Sequence, residues 1–228
     1  MNIYAMSDIH GCLVEFEEAL SLVDLSKDNK LILLGDYIHG GPDSYGVLKR
    51  IMELEKNYGR DKVIVLTGNH EDMVLDGRGS ISSTYGNKNC KDYEEDYYLS
   101  WLQTLRRYYA TEHQIFCHAG IDEEAGDMWN LGTDDYTYTE KYPAEIGHFY
   151  MDIITGHIGT SVISKNPYFH DIFYDGESHY YIDGTVLDSG IIPVIKVDIE
   201  KNKYYHVTKN GDWLITPYDE EFWETIKF

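Results

Sequence analysis

The sequence predicts an α/β fold in which two β-sheets form a sandwich flanked by helices. Two observations carry that expectation. Apolar runs at Asn2–Met6, Lys30–Leu34 and Lys62–Leu66 alternate with segments of helical spacing, the βαβαβ pattern of parallel strands joined by right-handed crossovers. From Asp152 onward the chain holds mainly short strand-like runs, as a second sheet of hairpins would. With 228 residues, 43% of them hydrophobic, there is enough apolar surface for one substantial core. Residues 1–228 are therefore expected to form a single domain, with a helical, Tyr-rich insertion at about 77–112.

Taken in order, Leu13, Phe16, Leu20 and Val23 recur at helical spacing, so Cys12–Val23 should be an amphipathic helix. Asp28-Asn29 turns the chain into the second strand. Asp43 or Ser44 can cap a helix to about Asn57, with Val47, Leu48, Ile51 and Leu54 as its apolar face and Gly59 after its end. A short helix is expected at Glu71–Leu75, then a polar loop or flap at Gly77–Lys91. Glu94–Tyr109 reads as a helix facing inward with Leu99, Trp101, Leu102 and Leu105, and His113–Cys117 as a strand returning to the sheet. Asp122–Tyr142 reads as irregular and Pro143–Tyr150 as a short helix. The strands expected after that are Asp152–Thr155, Ile172–Tyr174, Tyr180–Asp183, Pro193–Ile199 and Lys203–Val207, with a tight turn at Asn210-Gly211.

Composition narrows the function. The formal net charge of −21 repels nucleic acid, which is set aside as a partner. No run of about 18 apolar residues suggests a membrane span. The N-terminus enters a strand directly, without a basic region followed by an apolar one, so a cytoplasmic protein is expected. Cys12, Cys90 and Cys117 form no CxxC pair, which fits a reducing compartment. Oligomeric state is not legible.

Five apolar runs end in polar residues at what should be a sheet rim. They deliver Ser7-Asp8-Ile9-His10-Gly11, Gly35-Asp36, Thr67-Gly68-Asn69-His70-Glu71, His118-Ala119-Gly120 and Thr155-Gly156-His157. Carboxylate, imidazole and amide groups converging on one rim describe a metal site.

These five pieces, in this order, resemble the calcineurin-like metallophosphoesterases, in particular the bacterial serine/threonine phosphoprotein phosphatases and their diadenosine tetraphosphatase relatives. The resemblance spans Met1 to Asp188. It implies a four-layer sandwich and two divalent cations, with Mn²⁺ the first choice in vitro and Fe or Zn²⁺ also suited. It further implies that Asp8 and His10 share the first ion with Asp36, and that Asn69, His118 and His157 complete the second with the same carboxylate. A hydroxide held between the ions would attack phosphorus, with His70 as general acid. Glu71 is read as support for the helix start, and Asp183-Gly184 as either support for the site or a turn.

The chain also departs from the family pattern. Where Gly-Asp-x-x-Asp-Arg-Gly is usual, it has Gly35-Asp36-Tyr37-Ile38-His39-Gly40-Gly41. The aspartate that would pair with His70 is His39, and the arginine that would grip phosphate is Gly40. In Met128-Trp129-Asn130-Leu131, Leu131 stands where a second arginine is common. His39 therefore cannot stabilise a charged His70, and losing arginine penalises a phosphomonoester dianion more than a diester. Compensation could come from His39 donating to phosphate, from Arg78, or from Arg106 or Arg107. Tyr37, Tyr85, Tyr136 and Tyr138 are candidates for stacking on a base or an aromatic leaving group.

Three functions follow. The first is a phosphomonoesterase like the serine/threonine phosphatases, acting on a phosphoprotein or a phosphorylated small molecule. The second is a phosphodiesterase or nucleotide pyrophosphohydrolase. The third is a non-catalytic metal-binding scaffold.

Overall fold

The computed structural model describes residues 1–81 and 92–221, without the side chains of 92–94. Tyr85 and Cys90, and the expected flap from residue 82 on, lie outside the described residues. The chain opens as β1 (Asn2–Met6), α1 (Leu13–Leu20), β2 (Lys30–Leu33), α2 (Ser44–Tyr58) and β3 (Val63–Val65). The expected βαβαβ unit is present, with β1 parallel to β2 and β2 parallel to β3. The Asp43 carboxylate accepts the Gly46 N–H at 2.8 Å and caps α2. At the other end of α2, Gly59 takes φ 85° and turns the chain toward β3.

After α3 (Asn69–Leu75) and α4 (Asp92–Leu102) the second sheet begins with β4 (Tyr108–Ala110) and β5 (Gln114–Cys117). Three short helical turns follow, at Glu123–Met128, α5 (Trp129–Gly132) and α6 (Asp135–Glu140). Then come β6 (Asp152–Thr155), α7 (Thr160–Ile163), β7 (Phe173–Tyr174), β8 (His179–Tyr181) and α8 (Val186–Ser189). The last strands among the described residues are β9 (Ile195–Asp198), β10 (Lys203–Thr208) and β11 (Gly211–Leu214). The strand orders are β11-β10-β9-β1-β2-β3 and β4-β5-β6-β8-β7.

Side-chain alternation explains the layers. In the first sheet Met6, Leu31, Leu33, Val63 and Val65 face α1 and α2, where Phe16, Val47, Leu48 and Ile51 meet them. Ile3, Ala5, Ile32, Leu34, Ile64 and Leu66 point the other way and pack against Phe116, Ile154, Tyr180 and Ile182 of the second sheet region. The outer face of that sheet, Ile115, Cys117 and Ile153, is covered by Trp129, Tyr138, Phe149 and Met151. The result is a sandwich of two sheets with helices outside, as expected.

Four expectations are corrected. First, the strands near 193–199 and 203–207 are not hairpins of the second sheet. β9 pairs antiparallel with β1, and Ile195 and Val197 join Ile3 and Ala5 in the inter-sheet core. Alternation shows that a strand has a buried face but not which open edge it pairs with. Second, His113–Cys117 belongs to the second sheet, not the first. Third, the helix expected to reach Tyr109 stops at Leu102, because Arg106 already bonds to β3's end (Thr67 N–H to Arg106 O, 2.9 Å) and Tyr108–Ala110 pair with β5. Fourth, Pro143–Tyr150 is not helical. Its backbone is held from the side instead: Gly147 (φ 117°) donates to the Asp175 carboxylate at 2.8 Å and Phe149 to Ser178 Oγ at 3.0 Å. The last hairpin turns at Lys209–Asn210, with Gly211 (φ 127°) opening the return strand.

Candidate metal centre

The loops after β1, β2, β3, β5 and β6 meet at one rim. Gly35 makes the approach possible: it takes φ 120°, and a Cβ there would lie 2.6 Å from the Gly68 backbone and 2.8 Å from His118 Nδ1. Asp36 follows it and is buried at the centre. Its Oδ1 accepts the His70 backbone N–H at 3.0 Å and lies 3.5 Å from His118 Nε2. Its Oδ2 lies 3.8 Å from both His10 Nε2 and His70 Nε2. Asn69 Oδ1 is 3.0 Å from His118 Nε2 and 3.2 Å from His157 Nδ1. Asp8 sits 3.9 Å from His10 Nε2 through Oδ1 and accepts the His157 N–H at 3.0 Å through Oδ2.

All six residues proposed as metal ligands thus converge. Donor atoms of His10, Asp36 and His70 fall within 4.8 Å of one another, and so do those of Asp36, His118 and His157. Asp36 belongs to both groups.

The backbone is strained to achieve this. Asp8 (φ 54°), His10 (48°), Asp36 (57°), His39 (68°) and His157 (64°) all occupy the left-handed region. Side chains other than glycine reach it only at a cost of about 1 kcal/mol or more each. Glu71 fixes the central loop. It is buried, and its two oxygens accept the N–H groups of Asp36 (2.8 Å), Tyr37 (2.9 Å) and Gly68 (2.9 Å). The sequence marked it only as a helix-start acid; its i+2 spacing from Asn69 held no sign of a clamp on another loop.

The electrostatics call for positive charge. Asp8, Asp36, Glu71 and Asp183 are four buried carboxyl groups in one neighbourhood. Burial pushes Glu71 up to about 7, with Asp36 adding to the rise. Burial also pushes Asp8 well up, and Asp183 and Asp36 push it further. Asp36 is the exception: burial would raise it, but the imidazoles of His118, His10 and His70 outweigh burial and hold it well below the usual carboxylate range. Burial alone would lower His118, yet Asp36 and then Asp8 push it up to about 10. His157 goes the other way, down to about 4, through burial and the neighbouring His118.

Carboxylate oxygens, an amide oxygen and imidazoles around a deficit of positive charge fit divalent cations of the Mn, Fe or Zn type. Cation binding would release the proton that Asp36 otherwise holds on His118. The Asn69 amide can also turn: its reversed face would donate to Asp36 Oδ2 at 3.1 Å, whereas its oxygen is the face a cation takes.

His39 stands beside this cluster, with Nδ1 2.8 Å from His70 Nδ1. Its Nε2 lies 3.0 Å from the Ser80 carbonyl, which can only accept. A neutral His39 therefore carries its proton on Nε2 and accepts the His70 Nδ1–H. It supplies the acceptor that an aspartate would, without the negative charge. Accordingly His70 is lowered, by burial first and by His10, His39 and His118, with Asp36 opposing.

Among the described residues Arg78 makes no contact with the cluster. Its loop closes on His39 through Ser80, while its guanidinium turns to Asp76 at 3.1 Å and Glu140 at 4.0 Å. Arg107 is held by Asp72 and Asp135. Leu131 is exposed, and Tyr37 and Tyr138 are buried packing residues. A surface cavity of about 850 Å³ between Phe169, His206, Trp213 and Tyr218 shares no lining residue with the cluster.

Another buried histidine, one that matches no motif, lies elsewhere. His179 has Nδ1 3.0 Å from Asp175 Oδ2 and Nε2 3.1 Å from Glu123 Oε1. Burial would lower it, but these two partners push it up to about 9. Asp175 falls to about 2, against burial, through His179 and backbone N–H donors.

The family model described as calcineurin-like phosphoesterase matches residues 1–191. A symmetrical bis(5'-nucleosyl)-tetraphosphatase of Nitrosospira multiformis is 36% identical over 127 residues, covering 53% of this chain and 44% of that protein. One of Wigglesworthia glossinidia brevipalpis is 31% identical over 153 residues, covering 64% and 53%. The chain thus spans about half the length of these curated relatives. Among solved structures, a cold-active protein tyrosine phosphatase superposes with a TM-score of 0.65 at 15% identity, over 95% of this chain and 79% of its own. A candidate diadenosine tetraphosphatase gives 0.61 at 18% identity, over 90% and 92%. At such identities the structural matches speak for the fold alone.

Proposed function

Because the chain belongs to the calcineurin-like phosphoesterase family, we propose that it hydrolyses a phosphoanhydride or diester bond of a nucleotide, with a dinucleoside polyphosphate as the substrate class. This is the second of the readings drawn from the sequence. The names of the relatives favour it over the serine/threonine-phosphatase-like reading. The scaffold reading has no support in a rim that keeps every donor.

The observation that carries the proposal is the pairing of a complete donor set with a weakened acid and a missing grip. Two divalent cations, when bound by Asp8, His10, Asp36, Asn69, His118 and His157, would supply a nucleophile at neutral pH and neutralise phosphate oxygens. Mn²⁺ is the choice for assay. Asp36 holds the two donor groups together, and Glu71 holds Asp36. His70 presents Nε2 beside Asp36 Oδ2 and is oriented by its Nδ1–H bond to His39.

From there it can give a proton to the leaving oxygen, but its lowered pKa leaves little imidazolium at neutral pH. A serine alkoxide cannot leave without that proton. A nucleoside diphosphate or another acidic oxyanion depends on it far less. Gly40 offers no guanidinium to a terminal dianion, whereas an internal phosphate carries one charge fewer to be gripped. Arg78 sits on the loop that touches His39. Released from exposed Asp76, it could reach an outer phosphate of a long chain.

The test is a set of rates on the Mn²⁺-loaded protein with diadenosine tetraphosphate, a phosphoserine peptide, and a matched pair of aryl phosphomonoester and diester. The expected result is a kcat/KM for the dinucleotide at least about tenfold above that for the peptide, and the aryl diester favoured over the monoester. Faster turnover of the peptide and the monoester would restore the phosphatase reading.

A further inference from the structure

Gly40 lacks a side chain, and its flank is covered by Leu187. A Cβ at Gly40 would lie 2.5 Å from Leu187 Cδ1, 3.1 Å from Cδ2 and 3.3 Å from Cγ, and Gly40 takes φ 89°. No side chain larger than hydrogen fits there while Leu187 stays in place. The leucine comes from α8, a single turn fixed at both ends. Thr185 donates its N–H to Asp183 Oδ1 at 2.7 Å, Ser189 Oγ donates to the Gly184 carbonyl at 2.6 Å, and Val186 is buried in the core.

An isolated exposed leucine means nothing by itself. This one is 53% exposed at a particular place. Gly40 is bracketed by His39, which contacts His70, and by Gly41, whose N–H bonds to the His10 carbonyl at 2.6 Å. Leu187 therefore presents an apolar face beside Gly40, whose chain neighbours His39 and Gly41 contact His70 and the His10 backbone.

We infer that Leu187 is a specificity-determining residue: it receives the uncharged organic part of a phosphate ester, a nucleobase, ribose or aryl group, as that group leaves the metal centre over Gly40. The inference rests on the proposed phosphoesterase site and adds the feature that would select nucleotides over inorganic phosphates. An apolar contact of this kind favours the organic group without adding affinity for the phosphate, so it acts on binding and leaves the chemical step alone.

The experiment is calorimetric binding of AMP, phenyl phosphate and inorganic phosphate to the full Mn²⁺-loaded chain, as wild type, Leu187→Ala and Leu187→Met. The three ligands share the phosphate and differ in the organic group. The wild type should bind AMP and phenyl phosphate at least about fivefold more tightly than inorganic phosphate. Leu187→Ala should erase that preference with phosphate binding unchanged, and Leu187→Met should keep it.

A wild type that binds the three alike, or binds none, overturns the inference, as does a Leu187→Ala protein that keeps the preference or weakens all three equally. Loss of folding in Leu187→Ala would be seen by circular dichroism; the inference would then be judged on Leu187→Met and on the wild-type preference. Diadenosine tetraphosphate turnover is measured separately. Its absence would remove the proposed substrate and leave the comparison of AMP and phenyl phosphate with inorganic phosphate intact.

Discussion

Two buried histidines, His118 and His179, look alike by electrostatics and differ in everything else. Both lie next to carboxylates, and both are pushed up, to about 10 and about 9. His179 has a carboxylate on each ring nitrogen at hydrogen-bond distance, so its network is closed and complete. His118 has Asn69 Oδ1 at 3.0 Å and Asp36 at 3.5 Å on Nε2 and shares Asp36 with His10 and His70, while its Nδ1 is buried without a partner among the described residues. Around His179 each charge has its counter-charge. Around His118 the Asp36 carboxylate lies 3.5 Å from His118 and 3.8 Å from His10 and His70, and Asp8 lies 3.9 Å from His10, all longer than the closed pairs of His179. A perturbed pKa thus does not mark a functional site by itself; incomplete satisfaction by protein groups alone does.

The largest expected contrast comes from cutting the centre of each cluster. Asp36→Asn should lower turnover by at least about 10³-fold, near 4 kcal/mol of barrier, in a protein that still folds because an amide oxygen can accept the His70 N–H. His179→Leu should do the reverse. It strands Asp175 and Glu123 and should cost about 3 kcal/mol in a denaturant titration, with kcat/KM of the folded protein within about twofold of wild type. If both variants lost activity and stability alike, the distinction between the two clusters would collapse.

Glu71→Ala should give a mixed result. Three buried N–H groups lose their acceptor, for a loss of about 3 kcal/mol, and the loosened Asp36 loop should reduce turnover by about tenfold. Intact activity would mean that the loop is held by something else.

Smaller still is the effect of pH on the closed network. The folded pKa of His179 is raised from 6.5 to about 9, so the folded state holds its proton more tightly than the unfolded chain. The resulting stability is fully present below about pH 6.5 and is lost as pH rises through about 9. The melting temperature of the wild type should fall across that window, and His179→Leu should flatten this arm. The smallest effect belongs to Arg78→Ala. With its guanidinium on exposed Asp76, its removal should raise KM for a dinucleotide by no more than about threefold; a larger rise would make Arg78 a principal phosphate ligand.

The convergence of the proposed donors was legible because rim position is written locally (an apolar run, a break, then Asp, His or Asn), while their assignment as ligands came from the family resemblance. The βαβαβ half was legible for the same reason, since Val47, Leu48, Ile51 and Leu54 show helical spacing and Ile3, Ile32 and Ile64 each belong to a strand buried on both faces. What stayed hidden depends on contacts between distant segments. β9 could have joined either sheet until β1's free edge was seen to take it. α4 ends where Arg106 meets β3. Leu187 acquires meaning only by resting on Gly40, and Glu71 only by bonding a loop 35 residues earlier. The left-handed φ of Asp8, His10, Asp36 and His157 could not be foreseen either, since these residues rarely adopt it and do so here because the surrounding loops impose it.

The most direct test of the central claim, that the cluster around Asp36 and not the one around His179 is the metal centre, is Mn²⁺ stoichiometry by equilibrium dialysis on wild type, Asp36→Asn and His179→Leu. The account predicts about two ions per chain for the wild type and for His179→Leu, as expected of a shared-carboxylate site, and fewer than one for Asp36→Asn. Two ions retained without the Asp36 carboxylate, or metal lost with His179, would contradict it.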